Sequence, residues 1–239
     1  KLTEYIQQNG VEIKNSTAVT SVNLRAQTVS TSDGETLPYH TLLWAADQKT
    51  LYQIIDTDTI SDQKVMDAVH HRKALLKDLS GNDSVFTLYV QSNLDKSYFA
   101  SIATAHFFYT PTRQGQSRAG DPPLEGGWDA VQHWLEDYFA LTTYEISIPV
   151  LRNPTLAPEG KTGLIISTLF DYTFARSIYD RGWDERFRDF VAERMMSTLD
   201  TSIYPGLAAS VEAQFTATPL TLENRPGNTD GAITGWAFT

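Results

Sequence analysis

Five histidines are the first side chains to test for chemistry. His70, His71, His106 and His133 raise the question of a metal site. Zinc held by a helix takes histidines at i and i+4 plus a third ligand. His70 and His71 are adjacent, and on a helix their side chains diverge by about 100°. They cannot chelate one ion together, and no metal site is expected. Carboxylates number 29, so a pair for acid–base work is available almost anywhere. Glu136-Asp137 and Asp184-Glu185 lie on helix-like stretches beside aromatic residues and read as solvated helix surface. There is no G-x-S-x-G elbow, no P-loop and no G-x-G-x-x-G turn. Gly231 and Gly235 have the wrong spacing for a dinucleotide turn and no strand of the right kind before them. The chain has no cysteine, which excludes disulfides and thiolate chemistry. No catalytic residue is assigned.

One aromatic stretch bears on binding. Tyr98, Phe99, Phe107, Phe108 and Tyr109 crowd into a short span. They can line an apolar tunnel or pack as ordinary core, and both readings are open. The span leads into residues 110–127, whose glycines and prolines mark a long surface loop of the kind that gates pockets.

The 239 residues carry a net charge of −10 and a pI near 4.9. Nucleic-acid binding needs clustered Lys and Arg and is not expected. Nothing is basic enough to draw the chain to anionic lipid. No apolar run approaches the roughly 20 residues that a membrane-spanning helix needs. Hydrophobic residues at 41% and charged residues at 20% suit a folded globular protein. A cysteine-free chain of this kind fits the cytoplasm.

The elements that must position these residues follow from periodicity. Leu2, Tyr5 and Ile6 share a helical face that Asn9-Gly10 can end. Val11–Ile13 reads as a short strand, and 19–24 and 27–30 alternate as strands. Asp33-Gly34 is a turn, and Thr41–Ala46 is an apolar run suited to a buried strand. Asp47 opens a helix-prone stretch, and helical spacing resumes over 64–79. Residues 84–90 have apolar side chains on both faces and predict an interior strand. A helix follows from Trp128 through Tyr138, then a strand over 144–150. Asn153–Gly160 is a Pro/Gly turn delivering the chain into the run 163–169. Trp183 to Leu199 is an amphipathic helix that should bury Phe187, Phe190 and Met195. Val211–Phe215 is a strand, and Thr218-Pro219 opens a short helix. The fold class is α+β: a mostly antiparallel sheet of about five to seven strands, with helices packed on one face.

Three separated segments together resemble the FAD-dependent phytoene desaturases, carotenoid isomerases and related retinol saturases. The first comprises Gly10-Val-Glu-Ile13, Thr17-Ala-Val-Thr-Ser-Val22, Asp33-Gly-Glu35 and Leu42-Leu-Trp-Ala-Ala-Asp47. The second is Asn153–Gly160 with its following strand, where relatives commonly carry Asp at the position of Asn153. The third is Ala217-Thr-Pro219 with Gly231-Ala-Ile-Thr-Gly235. The resemblance implies that residues 1–48 are the edge of an FAD-binding domain and 49–235 a substrate domain. Residues 236–239 would return toward the FAD-binding part. The chain opens on Lys1 and closes on an apolar run, so we expect a segment of a longer protein. By resemblance, Val19, Ala45 and Ala46 would contact FAD. Phe99, Phe107, Phe108, Tyr109, Gly231 and Gly235 would form substrate-side walls, with ordinary turn glycines as the other reading of the last two. The implied activity is flavin hydride transfer on a polyene, isoprenoid or other elongated apolar substrate, giving desaturation, saturation or isomerisation. FAD is expected in the full-length parent and not in this segment, which alone would be inactive. A lipid-partitioning substrate would bring peripheral membrane contact. Two alternatives stand beside this one: a non-catalytic lipid- or partner-binding domain, and the substrate domain of a flavin amine oxidase.

Overall fold

The computed structural model describes residues 2–237, so the end of the closing run 236–239 lies outside the described residues. The chain divides into two compact units, Lys1–Leu79 and Ser80–Thr239. Residues 49–79, read from sequence as the start of the substrate domain, pack with the first unit.

The first unit holds α1 (Leu2–Gln8), an antiparallel meander of β1 (Val19–Asn23), β2 (Thr28–Thr31) and β3 (Thr36–Pro38), then α2 (Gln48–Ile54) and α3 (Gln63–Lys77). Val22 and Val29 face each other across β1 and β2 and are both buried. The helices start where acidic caps satisfy free amides. Asp47 accepts from the Thr50 amide at 2.9 Å, and Asp62 from Lys64 at 2.8 Å. The two strands expected at Val11–Ile13 and Thr41–Ala46 are not formed: neither joins a ladder among the described residues, and Leu43 is 88% exposed. A run apolar on both faces is stable as a strand only between neighbours and under cover on both sides. The small meander supplies neither.

The second unit holds β4 (Val85–Ser92), α4 (Lys96–Ala100), β5 (His106–Tyr109), α5 (Trp128–Leu141), β6 (Tyr144–Ser147) and β7 (Thr162–Leu169). It continues with α6 (Tyr172–Asp180), α7 (Asp184–Ser202), β8 (Val211–Ala217) and α8 (Pro219–Asn224). Its strands form one sheet in the order β5-β6-β7-β4-β8, every neighbouring pair antiparallel. This is an α+β fold, as the periodicity predicts. The strand at 84–90 is interior, as expected, between β7 and β8.

Period-two alternation sends Phe86, Leu88 and Val90 of β4, Leu164 and Ile166 of β7, and Tyr144 and Ile146 of β6 to one face. There they meet α5 and α7. The α7 side chains Phe187, Val191, Met195 and Leu199 recur every four residues and are all buried. Phe190, expected with them, is half-buried, edge-on to Trp128 at 6.4 Å. Helix α6 is not foreseen by the sequence reading. Asp171 caps it, accepting from the Phe174 amide at 2.6 Å, and Phe174, Ala175 and Ile178 face the core.

Tyrosines join this core with satisfied or silent hydroxyls. Tyr138 donates to the Leu169 carbonyl at 2.6 Å, and Tyr144 to that of Phe139. The Tyr204 hydroxyl is buried without a hydrogen bond. Burial pushes the Tyr138 phenol up to about 12, and it drives Tyr144 and Tyr204 upward too. These phenols stay neutral in the folded state while an unfolded tyrosine ionises near about 10. Their contribution is therefore full below that pH and is lost as pH rises through the folded-state values. Urea midpoints should hold steady up to mildly alkaline pH and then fall. Part of the phenolate absorbance should appear only with unfolding. A complete tyrosine titration at the ordinary pH with the fold intact would refute this.

Candidate functional site

Among the described residues, the face of the five-stranded sheet opposite α5 and α7 is bordered by the short 3-10 turns Pro149–Leu151 and Pro154–Leu156 and by no α-helix lining its groove. Register places two rows of side chains across it. One runs Phe108–Glu145–Ser167–Thr87–Ala217, the next His106–Ser147–Ile165–Tyr89–Phe215. A solvated antiparallel face would be polar throughout. This one is polar at its β5 side, where His106 Nε2 lies 2.8 Å from Glu145 Oε1, along Thr87 and Ser167, whose hydroxyls bond at 2.9 Å, and at Ser147 and Gln91. Between these lies an apolar patch of Ile165, Tyr89 and Phe215. Tyr89 and Phe215 stack with centroids 4.4 Å apart and planes 9° from parallel, although Phe215 is 65% exposed.

Beside that stack lies a groove of about 240 Å³, lined by Tyr89, Ile165, Phe215, Val150 and Leu156 among others. Leu156 is supplied by the Pro/Gly turn. Pro154–Leu156 is a short 3-10 turn capped by Asn153, whose side chain accepts from the Thr155 amide at 3.1 Å. Near the groove, Glu212 pairs with Lys161 and accepts from Gln91 at 3.0 Å. The hydrogen bond from Lys161, then that from Gln91, holds the Glu212 carboxyl below the usual carboxylate range.

The structure distributes the sequence-derived site residues as follows. Val19 starts β1, while Ala45 and Ala46 are exposed in the irregular segment before α2; all three belong to the first unit. The other six belong to the second. Phe108 stands on the helix-free face, 67% exposed. Phe107 and Tyr109, one residue either side, pack against the core instead. Phe99 is fully buried, edge-on to Tyr98 at 5.1 Å and to Tyr204 at 5.1 Å. Tyr89, Ile165 and Phe215 were missed as surface-forming residues. Their signal was present: in 84–90 and 163–169 apolar residues occupy both parities, so both faces had to be apolar.

Gly231 and Gly235 lie in the neck of this unit, where the chain arrives at 80–84 and returns at 230–237. Ser84 Oγ donates to the Gly231 carbonyl at 2.7 Å, the Ile233 amide to Asp83 at 2.9 Å, and the Asn82 amide to Gly235 at 2.8 Å. Gly231 is buried with φ +60°, and a Cβ there would sit 2.2 Å from the Pro219 carbonyl oxygen. Gly81 is equally confined, a Cβ meeting the Thr229 oxygen at 2.3 Å. Where this neck meets the start of β4 and the end of β7, a cleft of about 760 Å³ opens. Among the described residues no three His, Asp or Glu side chains converge on a metal position. No helix among them is long and apolar enough to cross a membrane.

No family model matches this sequence, and no curated protein matches it. The fold is similar to that of a solved structure, reduced UDP-galactopyranose mutase, with a TM-score of 0.50 and 11% identity. The match covers 84% of this chain and 33% of that one, so the chain spans about a third of the mutase. The likeness is one of fold.

The crowding at Gly231 makes a stability prediction. Gly231→Ala adds both a left-handed strain and a clash with backbone, and should lower unfolding free energy by roughly 2 kcal/mol or more. Gly235→Ala, with φ +105° and open space around its Cβ position, carries only the strain. Urea denaturation of the two variants compares them, and equal losses would show that the Pro219 contact is unimportant.

Proposed function

We propose that this chain is the substrate-facing part of an FAD-dependent oxidoreductase of the phytoene desaturase and carotenoid isomerase type. Its substrate would be a long apolar molecule, desaturated, saturated or isomerised by hydride exchange with the flavin. The observation that carries the reading is the helix-free sheet face. Exposed Phe215 and Leu156, with Tyr89 and Ile165 beside them, form an apolar surface where solvent alone would favour polar side chains. Two further observations support it: the ordered segments of sequence resemblance, and the fold likeness to reduced UDP-galactopyranose mutase.

The chain's own residues do not amount to an FAD cradle. No glycine-rich turn leads from a strand into a helix in the first unit, where the glycines are Gly10 after α1 and Gly34 in a strand turn. Val19, Ala45 and Ala46 offer backbone edges and small side chains, enough to border such a group but not to hold its phosphates. What the chain supplies is a wall. The stacked Tyr89 and Phe215 rings present a flat apolar surface, Ile165 and Leu156 give it depth, and the wall keeps water from whatever lies against it.

Two measurements test this. The purified chain should carry no stoichiometric flavin by visible absorbance, and a yellow preparation would show that the cradle is present after all. The chain should also bind a linear polyene probe such as cis-parinaric acid, read by its fluorescence. Burying one aromatic side chain against a ligand is worth about 1.5–3 kcal/mol, so Phe215→Ser should weaken binding roughly ten- to a hundredfold. Ile165→Asp should do the same. If the probe does not bind, or binds both variants as well as the parent, the sheet face is not an apolar wall.

A further inference from the structure

A second cavity stands apart from the groove. The 760 Å³ cleft at the neck falls within the size range of small-molecule pockets. Its walls combine two chemistries. Trp134, Tyr138 and Phe170 form an aromatic side: Trp134 stacks on Tyr138 at 4.6 Å and meets Phe170 edge-on at 6.4 Å. Asp83, Asp171 and Asp230 supply the other, three formal negative charges with no Lys or Arg among the lining residues.

These carboxylates are not equivalent. Asp171 accepts from the Phe174 amide at 2.6 Å and Asp230 from the Gly81 amide at 2.7 Å, so both are fixed by backbone. Asp83 is exposed and its carboxylate makes no hydrogen bond among the described residues. The nearby guanidinium of Arg176 does not line the cleft and is already committed to Glu223 and to the Tyr172 hydroxyl. No side-chain cation lines the cleft, and Asp83 is the carboxylate there that no backbone amide holds.

We propose that this cleft binds an organic cation, a primary or quaternary ammonium carried on an apolar body. Clustered charge of one sign in a cleft focuses its field on an opposite charge, and an aromatic face attracts an ammonium group through its quadrupole. An anion such as a nucleotide would meet three carboxylates and no donor cation. A neutral polyol would leave those charges uncompensated. The proposal does not depend on the sheet-face reading, because it uses none of the groove's residues.

The test uses the whole chain and three probes of one shape: benzylamine, benzyl alcohol and benzoate, titrated by isothermal calorimetry. Benzylamine should bind about tenfold or more tighter than the alcohol, and benzoate should not bind. Asp83→Asn, which removes a charge but no hydrogen bond, should narrow the amine–alcohol gap several-fold and leave the melting temperature unchanged. Phe215→Ser should leave benzylamine affinity unchanged. Equal binding of amine and alcohol, preference for benzoate, no binding of any probe, or an amine–alcohol gap unaltered in Asp83→Asn would each overturn the proposal. Loss of amine affinity in Phe215→Ser would move the site to the sheet face.

Discussion

The second unit depends on one ring. Phe86, in an interior strand, touches Phe139 of α5 at 6.2 Å, Phe187 of α7 at 5.5 Å and Phe170 beyond β7 at 6.5 Å. Each such edge-on pair adds about 0.5–1.5 kcal/mol beyond the area it buries. More important is what the contacts fix. They tie two helices to the sheet from one side, and Phe170 joins Phe139 at 6.1 Å and Phe187 at 5.2 Å. Once that side is filled, the strand pleat leaves no freedom on the other. Tyr89 must face away from Leu88 and Val90, and Ile165 away from Leu164 and Ile166. The apolar groove is thus a consequence of where the core is, given residues that are apolar on both faces.

A second constraint closes the unit at its neck. Ser84 is buried and bonds to Gly231, while Gly81 bonds to Asp230, so the arriving and returning segments are held together by short polar contacts. The approach is close enough to exclude a Cβ at Gly81 and at Gly231. The same closeness shapes the cleft, since Asp83 and Asp230 reach its wall from the two segments.

Much of this was legible in the sequence because it is periodic. The long helix α7, the interior strand β4, the α5 face and the capped start of α8 all follow from spacing. Alternation also implied two apolar faces for β4 and β7. What alternation cannot tell is which parity goes to the core. In the aromatic stretch Phe108 faces outward while Phe107, Tyr109 and Phe99 pack inward. One-residue steps separate those fates. Thr41–Ala46 failed differently. Its composition suits a strand, but a strand exists only with a partner, and pairing is not a property of the segment. Helix α6 was missed because its first turn carries Tyr172 and Thr173, poor helix formers, and the packing of Phe174 and Ile178 overrides that preference.

The size of the groove decides what kind of surface the helix-free face is. Its apolar part spans three neighbouring strands through Ile165, Tyr89 and Phe215, a width of about 10 Å at the spacing of paired strands. A stable protein interface buries about 800 Å² on each partner, far more than such a strip offers. A complete small-molecule pocket holds roughly 300–1,000 Å³, and the groove holds about 240 Å³. It is too narrow for one role and too shallow for the other. A strip with those dimensions covers at most one side of whatever lies along it, because Tyr89, Ile165 and Phe215 all project from the same sheet face.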